Sequence, residues 1–183
     1  MRHRHQTVVR APAASALETA RTFDLRSAPL VRAIFRLRAM ILGAKGPGTD
    51  WSRGLVEELL QMGWGILAEE KDRWLVAGAV CQPWRADVVM RPIPSDQFAA
   101  YSEPGQVKII WTMEADPLDD ARCRFSTETR AVGTDDEAKA RFQSYYRRFG
   151  VGMVLVRWLL LPAVRREAER RWQAAFEQEP RSL

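Results

Sequence analysis

The sequence predicts one α+β domain in which antiparallel strands lead into a long C-terminal helix. Between residues 63 and 133, short segments alternate apolar and polar side chains and are separated only by brief turns, as in antiparallel sheets. From residue 135 onward, apolar side chains recur at helical spacing instead. The 183 residues suit a single domain with a sizeable core, and the ends, 1–6 and 177–183, are expected to be loose.

The charge and cysteine content argue against several classes of function. The net charge of +5 is carried mainly by arginine, but no nucleic-acid-binding motif accompanies it, so no nucleic-acid partner is expected. Two isolated cysteines, Cys81 and Cys123, indicate reduced thiols in a cytoplasmic protein. The most apolar segment, Val151–Val164, contains Arg157 and is too short to span a bilayer.

The first sixty residues are predicted to contain one strand and three helices. The strand covers residues 6–11, and Pro12 begins the first helix, where a proline loses no hydrogen bond. A second helix is expected over Ser27–Leu42. The segment 43–50 breaks it with glycine and proline, and Asp50 at its end caps a third helix.

The middle of the chain is predicted to form the sheet. Residues 64–70 and 73–84 are expected to make a hairpin across a Lys-Asp turn, and 86–93 is a candidate strand. Residues 106–115 form a clear strand, and 121–132 return antiparallel to it after a short turn.

A capping pattern marks the start of the final helix. Thr134 stands three residues before Glu137, an arrangement in which each side chain bonds the free backbone N–H of the other residue. Acidic side chains here also suit the positive end of the helix dipole. We therefore expect the helix to start at Asp135, to break at Pro162 and to end near Phe176.

Four segments carry a family resemblance: VVRAPAASALETA, PGQVKIIWTMEADPL, RFSTETRAVGTDDEAKARFQSYYRRFG and LPAVRREAER. They resemble the START-like superfamily, also called the SRPBCC or helix-grip proteins, and within it an uncharacterised bacterial branch near the polyketide cyclase/dehydrase and lipid-transport proteins. The resemblance covers Thr7 to Arg171.

The resemblance implies a helix-grip fold, in which a curved antiparallel β-sheet wraps around the long C-terminal helix. Members commonly keep a cavity between sheet and helix that holds an apolar or amphipathic molecule. Because many members catalyse nothing, the resemblance favours ligand binding and stops short of a reaction. It implies no cofactor.

Aromatic side chains with a polar handle suit a cavity that holds and orients an apolar ligand. The candidate ligand-binding residues are the aromatic side chains Trp74, Trp111, Phe142, Tyr145 and Tyr146, together with Met153. The same spacing is typical of plain core residues between a sheet and a helix, so both interpretations stay open.

Glu128 and Arg130 are the charged candidates, because they lie two apart on one face of their strand. If that face lines the cavity, they can steer a ligand or accept a proton. If it faces solvent, they form a surface ion pair worth about 0–1 kcal/mol. The opposite face, equally able to point inward, carries Phe125, Thr127, Thr129 and Ala131.

The leading hypothesis is a protein that binds a small hydrophobic or amphipathic molecule without catalysis. One alternative is a cyclase/dehydratase- or hydrolase-type enzyme that uses Glu128 and a tyrosine as acid and base. Another is an interaction module, in which Val151–Val164 packs against a second copy or a membrane protein. His3 and His5, the only histidines, lie in the end expected to be loose, so neither a metal site nor histidine-based catalysis is expected.

Overall fold

A five-stranded sheet and one long helix form the frame of the protein. The structure is a computed structural model, and it describes residues 1–44 and 54–178. The strands are β1 (Arg2–Val9), β2 (Gly65–Glu70), β3 (Trp74–Cys81), β4 (Val107–Asp119) and β5 (Arg122–Gly133). The helices are α1 (Ala13–Arg21), α2 (Pro29–Leu42), α3 (Leu55–Gln61), α4 (Ser95–Phe98) and α5 (Asp136–Gln178).

The strands lie in the order β1-β5-β4-β3-β2, and every neighbouring pair is antiparallel. The sheet is curved, and α5 packs along its inner face, which confirms the predicted α+β, helix-grip architecture. The hairpin of β2 and β3 and the pairing of β4 with β5 also follow the prediction.

The main core lies between the inner face of the sheet, α1 and the C-terminal half of α5. Representative buried members are Val9, Leu17, Met113, Phe125 and Val164. A smaller cluster joins the other end of the sheet to the first turns of α5 through Val107, Ala131, Phe142 and Tyr145. Burial of this apolar surface is the main force that holds the helix against the sheet.

The first residues of the chain are ordered, so the prediction of a loose end over 1–6 is wrong. β1 pairs with β5 from Arg2 to Val9. Its side chains alternate, with His3 and His5 partly buried and Arg2 exposed, because one face of the strand lies against the protein interior. At the other end, residues 179–183 lie outside the described residues.

The predicted capping box at the start of α5 is also wrong, because Thr134, directly after β5, bonds the backbone of Gln106 instead. Its hydroxyl accepts a hydrogen bond from the N–H of Gln106 at 3.1 Å and donates one to the Gln106 carbonyl at 3.0 Å. Asp135 caps the helix instead, since its carboxylate accepts the N–H of Ala138 at 2.7 Å. That hydrogen bond is the main reason why the pKa of Asp135 is lowered.

α5 runs without interruption for 43 residues and spans roughly 65 Å at 1.5 Å per residue. Pro162 lies inside it, so the expected break does not occur. The proline removes one backbone donor, and the packing of Leu161 and Val164 on either side into the core keeps the helix continuous.

The segment before α4 does not form the strand predicted over 86–93. Only Arg91 pairs, exchanging two backbone hydrogen bonds of 2.9 Å with Val80. Pro92 and Pro94 follow it and have no N–H to continue a ladder. The predicted cap of the third helix, Asp50, lies outside the described residues.

Candidate ligand cavity

A cavity of about 1220 Å³ lies between the inner face of the sheet, α2 and α5. The sheet contributes Ile109, Trp111, Met113, Phe125, Thr127, Thr129 and Ala131. α5 contributes Phe142, Tyr145, Phe149, Met153, Val156 and Leu160. The volume lies above the range of roughly 300–1,000 Å³ that is usual for small-molecule sites.

The mouth of the cavity is formed in part by α2. Phe35, Leu37 and Ile41 line the cavity and are also exposed, so apolar side chains continue from the interior to the surface. Residue Val31 is the buried anchor of this helix. Such a mouth gives an apolar molecule a route to the interior that stays in contact with apolar side chains.

Four of the predicted site residues line this cavity. Trp111 projects from β4, and Phe142, Tyr145 and Met153 project from α5. They meet because alternate residues of a strand share a face, while residues three and four apart share a face of a helix. Contact of these four with a ligand stays a prediction.

Two of the predicted aromatic residues lie elsewhere. Trp74 is on the outer face of β3, because its neighbour Leu75 fills the inner face, and its indole N–H donates to Glu70 at 2.8 Å. Tyr146 turns from α5 toward β1, where its hydroxyl and the Nε2 of His3 share a hydrogen bond. Neither residue is part of the cavity wall.

Glu128 and Arg130 also lie outside the cavity, since Thr127 and Thr129 take the inward positions of β5. The carboxylate of Glu128 accepts hydrogen bonds from Arg130 and, at 2.8 Å, from Arg2. These hydrogen bonds lower the pKa of Glu128, and the bond from Arg130 has the largest effect. They outweigh burial, which leaves the side chain only 8% exposed and by itself raises the pKa. The enzyme alternative therefore loses its proposed acid–base residue, because a firmly ionised carboxylate on the outer face cannot reach a ligand inside.

Arg157 is a cavity residue that the sequence analysis did not select. It lines the cavity, and its Nη1 donates to the carbonyl of Met153 at 2.9 Å. Burial lowers the pKa of its guanidinium, which still stays charged at neutral pH. The signal was present in the sequence, because Arg157 is the lone charged residue of Val151–Val164.

His3 lies in the folded body of the protein, so the expectation that both histidines are in a loose end is wrong. Its ring packs on that of Tyr146 with centroids 5.6 Å apart. Burial lowers the pKa of His3, and the positive charge of Arg157 adds to this effect. The period-two pattern of residues 2–7 was the available signal, because it places His3 and His5 on one face.

The two cysteines are poor candidates for nucleophilic chemistry. Cys81 and Cys123 are buried, and burial raises their pKa values to about 12 and about 11, which disfavours the nucleophilic thiolate. Within 1–44 and 54–178, no three His, Cys, Asp or Glu side chains are grouped closely enough to hold a metal ion. In the same ranges, no helix combines the length and apolarity needed to cross a membrane.

No protein-family model matches the chain, and no curated protein matches it. Among solved structures, the chain is similar to the Zhui aromatase/cyclase from Streptomyces sp. R1128, with 22% identity over 96% of this chain and 97% of that chain and a TM-score of 0.29.

Proposed function

We propose that the protein binds a small hydrophobic or amphipathic molecule in the cavity between the sheet and α5. The observation that carries this proposal is the cavity itself, about 1220 Å³ in volume and lined mainly by aliphatic and aromatic side chains. Protein interiors are normally packed to the density of organic crystals, so a space of this size is unusual for a core. An apolar guest would gain about 25 cal/mol for each Å² of its surface that leaves water.

Two variants of α5 test the proposal with Nile red, an uncharged dye that fluoresces in apolar surroundings. Val156→Trp places an indole in the cavity, whereas Val151→Trp makes the same change at an exposed position of the same helix. We expect the wild type and Val151→Trp to bind the dye, and Val156→Trp to bind it roughly tenfold more weakly, which corresponds to about 1.4 kcal/mol. No binding by the wild type, or equal binding by both variants, would contradict the proposal.

A second experiment identifies the natural ligand. Organic extraction of the purified protein, followed by mass spectrometry, should release an apolar or amphipathic compound in proportion to the protein. The Val156→Trp protein, purified in parallel, should release less of it because the same space is filled.

A second candidate function is self-association through α5. Val151, Leu155 and Trp158 are exposed and lie at helical spacing on one side of the helix. A concentration-dependent dimer in sedimentation that Leu155→Gln weakens would support this alternative, and a monomer at all concentrations would dispose of it. A cytoplasmic location is also part of the proposal, supported by the two free cysteines.

A further inference from the structure

We propose that the cavity selects amphipathic molecules with an anionic headgroup, which Arg157 binds with the help of the Thr127 hydroxyl. This inference rests on the proposed function and names the class of ligand. It follows from the polar groups that the apolar cavity contains.

Arg157 is a cation without a counter-ion. Among the described residues, no carboxylate lies within ion-pair distance of its guanidinium, and its single hydrogen bond goes to the carbonyl of Met153. Its Nε is buried and has no hydrogen-bond partner. An arginine has five N–H donors, and a buried charge left unpaired is costly. An anion bound at this position would therefore offset the free-energy cost of the unpaired charge.

Thr127 supplies a second unpaired group in the same cavity. Its hydroxyl is buried and has no hydrogen-bond partner. Most buried hydroxyl groups in proteins are hydrogen-bonded, and a buried hydroxyl left without a partner costs roughly 1–3 kcal/mol. A hydroxyl can donate to an oxyanion, and it therefore suits the same headgroup as Arg157.

The two groups belong to one region, the part of the cavity beneath the β1–β5 pair. Arg157 belongs to the part of α5 that packs against β1. The next residue, Trp158, meets the ring of His5 edge-on at 6.5 Å. His5 is the β1 partner of Thr127, and paired residues of neighbouring strands share a face.

Most of the other charges around the cavity are also positive. Its described lining contains four arginines, Arg36, Arg38, Arg148 and Arg157, and one acidic residue, Asp87, which is exposed. An anionic headgroup is therefore attracted toward the mouth as well as held inside. A neutral headgroup would leave Arg157 unpaired, which is the physical basis of the selectivity.

The test compares ligands that share a chain and differ in the headgroup. Dodecanoate, dodecanol and butyrate are titrated separately, below their micelle concentrations, against protein loaded with Nile red. We expect dodecanoate to displace the dye at a concentration roughly tenfold or more below that of dodecanol. Butyrate, which has the charge without the chain, should displace it only weakly, because the site takes an amphiphile and not a free anion.

Variants then assign the selectivity to Arg157. Arg157→Met should weaken dodecanoate binding roughly tenfold while dodecanol binding stays unchanged or improves. Arg147→Met, at an exposed position of the same helix outside the cavity, should behave as the wild type. Thr127→Val, which removes the hydroxyl and keeps the shape, should weaken dodecanoate alone, and it provides a second readout if Arg157→Met fails to fold.

The outcomes separate this inference from the proposed function. Equal binding of dodecanoate and dodecanol by the wild type, with the dye still bound, would overturn the anionic headgroup and leave the cavity's function intact. If butyrate displaced the dye as effectively as dodecanoate, the inference that the ligand needs an apolar chain would be wrong. Failure of the wild type to bind the dye or either long-chain compound would remove the proposed function, and this inference with it.

Discussion

Arg38 donates a hydrogen bond of 2.8 Å from its Nε to the hydroxyl of Tyr145, which joins α2 to α5 beside the cavity. The same guanidinium donates to the carbonyl of Pro83 at 2.9 Å and lies 5.7 Å from the centre of the Tyr145 ring. One side chain thus connects three segments that line the cavity, and it holds α2 in place over the mouth.

The first prediction concerns this connection. Tyr145→Phe removes only the hydroxyl, and we expect it to lower the free energy of unfolding by about 1 kcal/mol and to speed amide hydrogen exchange in α2. Tyr101→Phe is the control for α2 exchange, since it removes a hydroxyl away from the cavity that accepts from Arg91 at 2.7 Å and donates to Glu103 at 2.5 Å. Exchange in α2 that is no faster in Tyr145→Phe than in Tyr101→Phe would contradict the connection.

The second prediction concerns Glu128 on the outer face of the sheet. Glu128→Gln removes the charge that binds Arg2 and Arg130, and we expect the free energy of unfolding to fall by about 1–2 kcal/mol. Nile red binding should not change, because the side chain does not reach the cavity. A loss of dye binding in a folded Glu128→Gln protein would show that the outer face takes part in the site.

The third prediction uses two glycines with different surroundings. A Cβ at Gly133 would lie 2.5 Å from the backbone nitrogen of Lys139, so Gly133→Ala should push β5 and α5 apart and destabilise the protein by about 1–3 kcal/mol. A Cβ at Gly152 meets only Ile34, at 3.4 Å. Gly152→Ala should therefore be neutral or gain about 0.5–1 kcal/mol, since alanine favours the helix. Chemical denaturation of the two variants measures the difference, and equal effects would refute the close approach.

The fourth prediction is a dependence of stability on pH through His3. The folded protein holds this imidazole with a pKa below its usual 6.5, so the unfolded chain binds more protons just below that value. The contribution of His3 to stability is complete above about pH 6.5 and is lost as the pH falls through the folded pKa. Stability curves of the wild type and His3→Gln should converge on acidification, and parallel curves would contradict the assignment.

The architecture could be predicted well from the sequence, because the spacing of apolar residues shows which side chains share a face of a strand or a helix. Alternation placed Ile109, Trp111 and Met113 together on β4, and helical spacing placed Phe142 and Tyr145 together on α5. Each of these patterns is local, so it is readable without knowing what packs against it. On each of these two elements, the face that these residues share is the face that lines the cavity and the core.

The spacing of residues does not show which of the two faces of a strand points into the protein. For β5 both sets of side chains were plausible, because Glu128 and Arg130 can pair with each other whichever face points inward. The second partner of Glu128 is Arg2, which is 126 positions away and meets Glu128 only when β1 joins the sheet. The same long-range pairing ordered His3 and determined that Thr127 lines the cavity.

The pairing of β1 with β5 also bears on how the chain acquires its structure. Joining segments so far apart requires the closure of a very large loop, and topologies rich in such contacts fold slowly. β1 is made before the other four strands but can pair with its neighbour only after β5 has been made. Until then its hydrogen-bonding edge is available to other chains, which makes the nascent protein a candidate for chaperone protection.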